Sequence, residues 1–338
     1  MRILITGGAG FMGSHFTKLL VRKYPDYKIT VLDALTYCGN LENLKEVEDH
    51  PNYTFIHGDI RDREVVEKVL MGMDRVIHFA AETHVDRSID NSDPFISTDI
   101  KGTQVLLETA RRYPLKRFVH ISTSEIYGTA QRVPMTEEHP LNPQSPYAAA
   151  KAGADRLAYS YAIAYNLPIV IVRPFNNYGP NQFPEKLFPL FITNALEGKP
   201  LPIYGNGKNT RDWLYVEDCC DALEIVLMDE VKPLEREVIN LGTGVDTNVL
   251  TISEAILTHL RKPKSLLKHV GDRPGHVERL VSSTQKAERL LGWRAKTPLE
   301  EGIRKICDWY SGNPEWWKRI KEREKEYKEF YERWYSRL

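Results

Sequence analysis

The sequence predicts a doubly wound α/β protein, a parallel sheet with helices on both faces, followed by a smaller, discontinuous C-terminal lobe. Three observations carry this. Short β-branched runs alternate with helical stretches through the first half of the chain, and a glycine-rich turn follows the first run directly. Beyond Pro174 the alternation gives way to a segment dense in Gly, Pro and Asn. Parallel strands need crossover connections, so strand, helix and strand in repetition specify a parallel sheet covered on both sides.

Taken in order, Ile3-Leu4-Ile5-Thr6 is a buried-strand run, and the stretch from about Ser14 to Tyr24 is helical. Ile29 to Asp33 and Tyr53 to Ile56 are the second and third strands; a helix from Arg63 to Leu70 leads to a fourth, Arg75 to Phe79. A helix near Asp99 to Tyr113 precedes the strand Arg117 to Ser122, and the helix Tyr147 to Tyr165 precedes Ile169 to Val172. Residues 1–173 are expected to form the sheet domain, with some later segments returning to it. Residues 174–317 should be mainly a second lobe, with loops over the carboxyl edge of the sheet. In 318–338, Tyr327, Phe330, Tyr331 and Trp334 fall at i, i+3, i+4, i+7, so one amphipathic helix is expected, docked on the body and supported by Glu324 to Lys328 and Glu329 to Arg333 pairs.

The chain has 338 residues, with 46 Lys+Arg balancing 46 Asp+Glu, 42% hydrophobic and 27% charged residues. That balance excludes a general nucleic-acid binder, which would be basic, and an acidic disordered protein. The tail 318–338 carries +3 and the remainder −3, so no bulk positive field gathers an anion; local groups must bind it. Four scattered cysteines, Cys38, Cys219, Cys220 and Cys307, suit free thiols better than a disulfide scaffold or a zinc site. His84 and His276 are too far apart in sequence to suggest a metal site, so none is expected. No apolar run reaches the ~18 residues a membrane span needs, and the N-terminus lacks a signal-peptide pattern. A cytoplasmic location without membrane partners is the expectation.

The turn Gly7-Gly8-Ala9-Gly10-Phe11-Met12-Gly13 ends the first strand and opens the first helix, with Gly8, Gly10 and Gly13 satisfying G-x-G-x-x-G. Such spacing provides a tight turn and close backbone approach to a pyrophosphate at a helix N-terminus. Asp33 ends the second strand 20 residues after Gly13. A carboxylate there accepts from the adenosine ribose hydroxyls and repels a 2′-phosphate, so the combination specifies a Rossmann-type domain binding NAD rather than NADP.

Tyr147 and Lys151 share one face near the start of a helix, where an ammonium beside a phenol would favour the ionised form. Upstream, Ser122-Thr123-Ser124-Glu125 lies just past a strand end, where open α/β sheets hold their ligands. Neither motif is specific by itself; together with a NAD site they point to redox chemistry.

These residues resemble the extended short-chain dehydrogenase/reductase family, and more closely the nucleotide-sugar 4,6-dehydratases of the dTDP-glucose type. Further matching blocks run from Leu35 to Asn43, from Ala80 to Ser88, and through Asn176-Asn177-Tyr178-Gly179-Pro180, Pro184 to Leu187, Pro202 to Gly205, Arg211-Asp212-Trp213 and Asp272 to His276. The resemblance implies a lyase with tightly bound NAD and a homodimer. In the implied cycle Tyr147, assisted by Thr123 and Lys151, takes the proton of the sugar's 4-hydroxyl as hydride leaves C4. Glu125 then removes the acidified C5 proton, water leaves from C6, and hydride returns there. It also implies that Gly7, Gly10, Phe11, Met12, Gly13, Asp33, Asp59, Ile60, Ala80, Ala81, Thr98, Tyr147, Lys151 and Asn177 hold the cofactor. Thr83, Thr123, Asn176, Lys186, Leu187, Pro202, Ile203, Tyr204, Arg211, Asn248, Arg273 and His276 would face the nucleotide sugar, the cations suiting its pyrophosphate.

One departure is informative. The dTDP-glucose type carries Asp between Thr and Glu as the acid that protonates the departing 6-hydroxyl; here Ser124 stands there, a far weaker acid. Ser-Glu is the pairing of other 4,6-dehydratases, including the GDP-mannose type, and of UDP-glucuronate decarboxylases. Val277 and Leu280 also replace a polar and an aromatic residue of that type. Decarboxylation or 4-epimerisation on the same scaffold is thus the alternative chemistry, and a NAD-sensing regulatory protein the non-enzymatic one. Glu125 argues against simple 4-epimerases, which need no base at C5, and Tyr147, Lys151 and Glu125 together argue against a mere sensor.

Overall fold

The structure, a computed structural model, describes residues 1–230, 233–323 and 325–335. Seven strands form its central sheet: β1 (Arg2–Thr6), β2 (Lys28–Asp33), β3 (Tyr53–His57), β4 (Arg75–His78), β5 (Arg117–Ile121), β6 (Ile169–Pro174) and, from the later chain, β10 (Val238–Leu241). Their order is β10-β6-β5-β4-β1-β2-β3, all parallel. The order reverses between β1 and β4, the switch point at which a doubly wound sheet opens a crevice.

Alternation along the strands loads both faces. Ile3, Ile5, Val31 and Ile77 pack under α1 (Phe11–Lys23), while Leu4, Leu32, Val76 and Phe118 pack on the other side under α2 (Arg63–Leu70) and the helices that follow. Those are α3 (Val85–Asp90), α4 (Asp93–Phe95), a π-helical segment (Ile96–Gly102), α5 (Thr103–Ala110) and α6 (Pro146–Ala164). The predicted helix at 99–113 is therefore an earlier and irregular one, its first turns widened where Asp99 is turned inward and buried.

The second lobe comprises β7 (Asn176–Tyr178), α7 (Leu187–Glu197), β8 (Leu201–Tyr204), β9 (Thr210–Tyr215), β11 (Asp246–Asn248), α9 (Val249–His259), β12 (Leu267–Val270), β13 (Arg279–Leu280) and α11 (Leu299–Gly312). It has its own core of Tyr178, Phe188, Trp213, Ile256, Ile306 and Trp317. Between these segments the chain returns to the first lobe: α8 (Val216–Met228) packs its Cys219, Leu223 and Val226 into the α1 side of the sheet core, as does Leu291 of α10 (Gln285–Leu291).

The described tail residues are helical, α12 (Pro314–Arg323) and α13 (Lys325–Tyr335). The apolar stripe docks, with Tyr327 and Phe330 buried. Of the two expected ion pairs, the one from position 324 lies outside the described residues; the other is replaced, because Glu329 pairs with Lys325 while Arg333 reaches Asp90 of α3. No helix among the described residues is long and apolar enough to cross a membrane.

Candidate active site

A cavity of about 410 Å³ runs along the carboxyl ends of β1, β4 and β5 into the second lobe. Its first end is made of backbone. Gly7 sits at φ +71°, donates its N–H to Leu32 (2.8 Å), and a Cβ there would lie 2.5 Å from the amide nitrogen of Ala80. A Cβ on Gly13 would overlap the carbonyl oxygen of Gly7. Gly8 serves differently: a Cβ there would lie 2.7 Å from Cγ1 of Val31, so its missing side chain lets the turn pack onto β2, and it does not line the cavity.

Asp33 closes this end. Its two oxygens accept from the backbone N–H groups of Ala9 (2.9 Å) and Leu35 (2.8 Å). Burial raises its pKa and these amides oppose the rise. Gly10, Phe11, Met12, Asp59, Ile60, Ala80, Ala81 and Thr98 line the same end, and Asp59 is paired with Arg61 at 2.6 Å. Asn177 donates to the Phe175 carbonyl (3.0 Å), which leaves its buried Oδ1 without a partner. A turn that excludes Cβ atoms at a helix N-terminus, a carboxylate at the end of β2 and an unused buried acceptor together fit an adenine dinucleotide.

The middle holds the reactive groups. The loop after β5 turns at Thr123, whose Oγ1 accepts from the Glu125 N–H (3.3 Å) and so aims the Glu125 carboxylate into the cavity. Glu125 is buried, with one oxygen 3.5 Å from Nε of Arg211 on β9. Tyr147 lies in the first turn of α6, which Pro146 and the Ser145 cap on the Ala148 N–H (3.2 Å) start cleanly. Lys151, one turn on, buries its ammonium against the carbonyl of Ile121 at 2.8 Å. Burial lowers the Lys151 pKa; Asp99 and Asp155 raise it in opposition.

The sequence predicts a phenol made acidic by Lys151, and the protein departs from that. Burial holds Tyr147 well above the ordinary phenol range, a hydrogen bond with Thr123 opposes this, and the carboxylates of Asp99 and Glu125 add to it. Lys151 spends its charge on the Ile121 carbonyl and the buried aspartates instead.

The far end is cationic and built from side chains. Lys186 donates to the Thr83 carbonyl. Arg273 reaches Asp86 Oδ1 at 2.9 Å, Tyr204 donates to Asp86 Oδ2 at 3.0 Å, and His276 Nδ1 lies 2.6 Å from Asp272. Asn176, with a buried unpartnered Oδ1, and Ser124, Leu187, Pro202 and Arg211 also line the cavity.

Two expected substrate-side residues lie elsewhere. Along β8, Pro202 and Tyr204 turn to the cavity, so Ile203 turns into the second core and is fully buried. Asn248 caps α9 by accepting from the Thr251 N–H (2.8 Å) and lies outside the cavity. The sequence reading passed over Asp86 and Glu185, both buried cavity-lining acids inside the matching blocks. Their signal was the adjacent cation in each case, Arg87 after Asp86 and Lys186 after Glu185; in the fold Arg87 bonds Glu185 at 2.8 Å, and Arg273 bonds Asp86.

The sequence model of the GDP-mannose 4,6 dehydratase family matches residues 4–306. A dTDP-glucose 4,6-dehydratase of Streptomyces niveus is 45% identical over 325 residues, which is 95% of this chain and 96% of that one. The trifunctional UDP-glucose 4,6-dehydratase, UDP-4-keto-6-deoxy-D-glucose 3,5-epimerase and UDP-4-keto-L-rhamnose reductase of Arabidopsis thaliana is 45% identical over 322 residues, 93% of this chain but 48% of the larger protein. The crystal structure of DesIV, a dTDP-glucose 4,6-dehydratase from Streptomyces venezuelae with NAD and TYD bound, superposes with a TM-score of 0.91 at 43% identity, covering 95% of this chain and all of that one. By that family match and those identities over nearly the whole length, the chain belongs to the GDP-mannose 4,6 dehydratase family of short-chain dehydrogenase/reductase-type nucleotide-sugar 4,6-dehydratases.

Proposed function

We propose that the protein converts an NDP-hexose, dTDP- or UDP-glucose, to the NDP-4-keto-6-deoxy sugar, with NAD as a cofactor that is not consumed. The observation that carries this reading is the single cavity, which runs from the glycine cradle, past Tyr147 and Glu125, to Lys186, Arg211 and Arg273. Residues 1–173, with α8 and β10, carry the dinucleotide; most of 174–317 carries the nucleotide sugar. When bound, NAD would be held by the glycine turn and Asp33 and would supply reversible hydride transfer for C4 and C6.

The chain's own groups move the protons. Tyr147 takes the 4-hydroxyl proton, with Thr123 as the hydrogen-bond partner that favours the phenolate. Glu125, oriented by Thr123 below and Arg211 beside it, takes the C5 proton made acidic by the 4-ketone. With Ser124 where the dTDP-glucose type has an acid, Glu125 itself delivers the proton it took from C5 to the departing 6-hydroxyl. A solvent proton added at C5 balances the hydride returned to C6. Ser124 orients the proton delivered to that hydroxyl. The cations of the far end hold the pyrophosphate.

Decarboxylation is the second reading, because Ser-Glu is also the pairing of that chemistry. Incubation of the protein with dTDP-, UDP- and GDP-sugars, read by mass spectrometry, tests both: a loss of 18 mass units (one water) without net NADH supports dehydration, and carbon dioxide from UDP-glucuronate rejects it. Glu125→Gln retains C4 oxidation but loses deuterium incorporation at C5. A cytoplasmic homodimer belongs to the same reading; Tyr159 and Ile163, exposed one turn apart on α6, are the apolar pair such a contact would cover, and sedimentation of the wild type against Ile163→Glu tests it.

A further inference from the structure

The tail helix α13 touches the substrate end of the cavity. Phe330 meets the His84 ring edge-on at 5.6 Å and lies 4.6 Å under the Arg87 guanidinium, which Tyr37 covers from its other side at 4.0 Å. Arg333 pairs with Asp90. One contact goes further inward: Trp334 Nε1 donates to the hydroxyl of Tyr204 at 2.9 Å. Tyr204 donates to one oxygen of Asp86 at 3.0 Å, and the other oxygen of Asp86 accepts from Arg273 at 2.9 Å. Tyr204, Asp86 and Arg273 all line the cavity, and Arg273 Nε is buried there without a partner.

We propose that α13 is a strap on the substrate end, and that Trp334 is a positioning residue which fixes Arg273, through Tyr204 and Asp86, for the diphosphate of a nucleoside-diphosphate sugar. The inference rests on the functional reading above and extends it to a helix that the reaction scheme leaves unused. A tyrosine hydroxyl has one proton. When the indole N–H donates to its oxygen, that proton is committed to Asp86, and each bond in the series polarises the next. Asp86 in turn sets the plane of the Arg273 guanidinium, whose rigid fork binds a diphosphate only in the right orientation. Loss of the indole N–H therefore frees the Tyr204 hydroxyl to rotate and loosens the fork. The cost falls on binding of the diphosphate and spares proton transfer at Tyr147 and Glu125.

The test uses the full-length, NAD-loaded protein. Trp334→Phe keeps an aromatic ring stacked on Phe330, now 6.0 Å away at 13°, and deletes only the donor. Calorimetry with UDP and dTDP, together with steady-state kinetics on the corresponding glucose nucleotides, should show Kd and KM raised about threefold to tenfold, the worth of one partly buried hydrogen bond, with kcat within about twofold. NAD affinity should not change. Lys321→Met is the control: it cuts the tie from α12 to Glu197 of α7 (2.6 Å) and lowers Tm, yet it should leave the diphosphate Kd where it was. Kd and KM unchanged in Trp334→Phe would overturn the inference. So would an equal rise in Lys321→Met, since the tail would then act through general stability. If the wild type binds neither diphosphate, the functional reading fails and this inference with it; if wild type and Trp334→Phe bind equally well, this inference alone falls.

Discussion

At the cofactor end of the cavity, position is set by backbone: Gly7 and Gly13 leave no room for a Cβ, and Asp33 is fixed by the amides of Ala9 and Leu35. At the substrate end, position is set by side chains that come from distant parts of the chain. Arg273 is tied to Asp86 across 187 residues, Lys186 to Thr83 across 103, and Trp334 to Tyr204 across 130. A backbone cradle recognises a group shared by all dinucleotides and tolerates little change. A side-chain network can be rewired one residue at a time, so a scaffold that keeps one cofactor can take different sugars.

The largest effect that tests this contrast lies at the midpoint, where both ends meet. Tyr147→Phe should lower kcat by about 10³-fold, the usual worth of a positioned general base, and abolish any NADH transient in rapid mixing. Turnover near the wild-type rate would mean that another group takes the C4 proton.

Next comes the frame under that midpoint. Asp155, one turn beyond Lys151 on α6, holds the buried Arg173 through two bonds of 2.9 and 3.0 Å. Asp155→Asn strands the arginine charge and should cost about 3–5 kcal/mol in urea unfolding. Burial alone would raise the Asp155 pKa, but the hydrogen bonds and charge of Arg173 outweigh it and bring it to about 2. Because the folded value lies below the unfolded one, this stabilisation is complete above pH ~4 and is lost between about pH 4 and pH 2, to a total of about 2 kcal/mol. The variant should flatten the pH dependence of stability in that window; an unchanged slope would place the acid sensitivity elsewhere.

Gly13→Ala separates the two ends directly. The added methyl must displace the Gly7 carbonyl, which should cost about 1–3 kcal/mol of stability and weaken NAD binding while the apoprotein's affinity for UDP or dTDP stays the same. Equal losses for both ligands would show the ends to be mechanically coupled and the contrast too sharply drawn.

The same contrast explains what could be read from the sequence. The parallel sheet and the glycine turn were legible because both are local: β-branched runs, a fixed glycine spacing and an acid at the end of the second strand. Tyr147, Lys151 and Glu125 were legible as a cluster, yet their electrostatics were not. Lys151 turns out to bond the Ile121 carbonyl, and Asp99, which shifts both Tyr147 and Lys151, sits in a π-helical segment that no periodicity announces. The Arg333–Asp90 pair was illegible for the same reason, since helical spacing predicts partners along a helix and not across 243 residues.

The smallest effect concerns a residue that the block Pro202 to Gly205 assigned to the substrate. Ile203 is fully buried beside Leu201 in the core of the second lobe, because a strand that turns Pro202 and Tyr204 to the cavity must turn Ile203 away. Deleting one methylene there should be felt as packing. Ile203→Val is expected to lower stability by about 1 kcal/mol in denaturant unfolding while KM for the nucleotide sugar stays within about twofold. Trp334→Phe should behave the opposite way, with stability kept and KM raised, although Trp334 lies 130 residues from Tyr204 and Ile203 is its neighbour in the chain. If Ile203→Val instead raises KM at constant stability, β8 is read in the wrong register, and the division between a packed core face and a side-chain-built binding face fails on the strand where it was drawn most sharply.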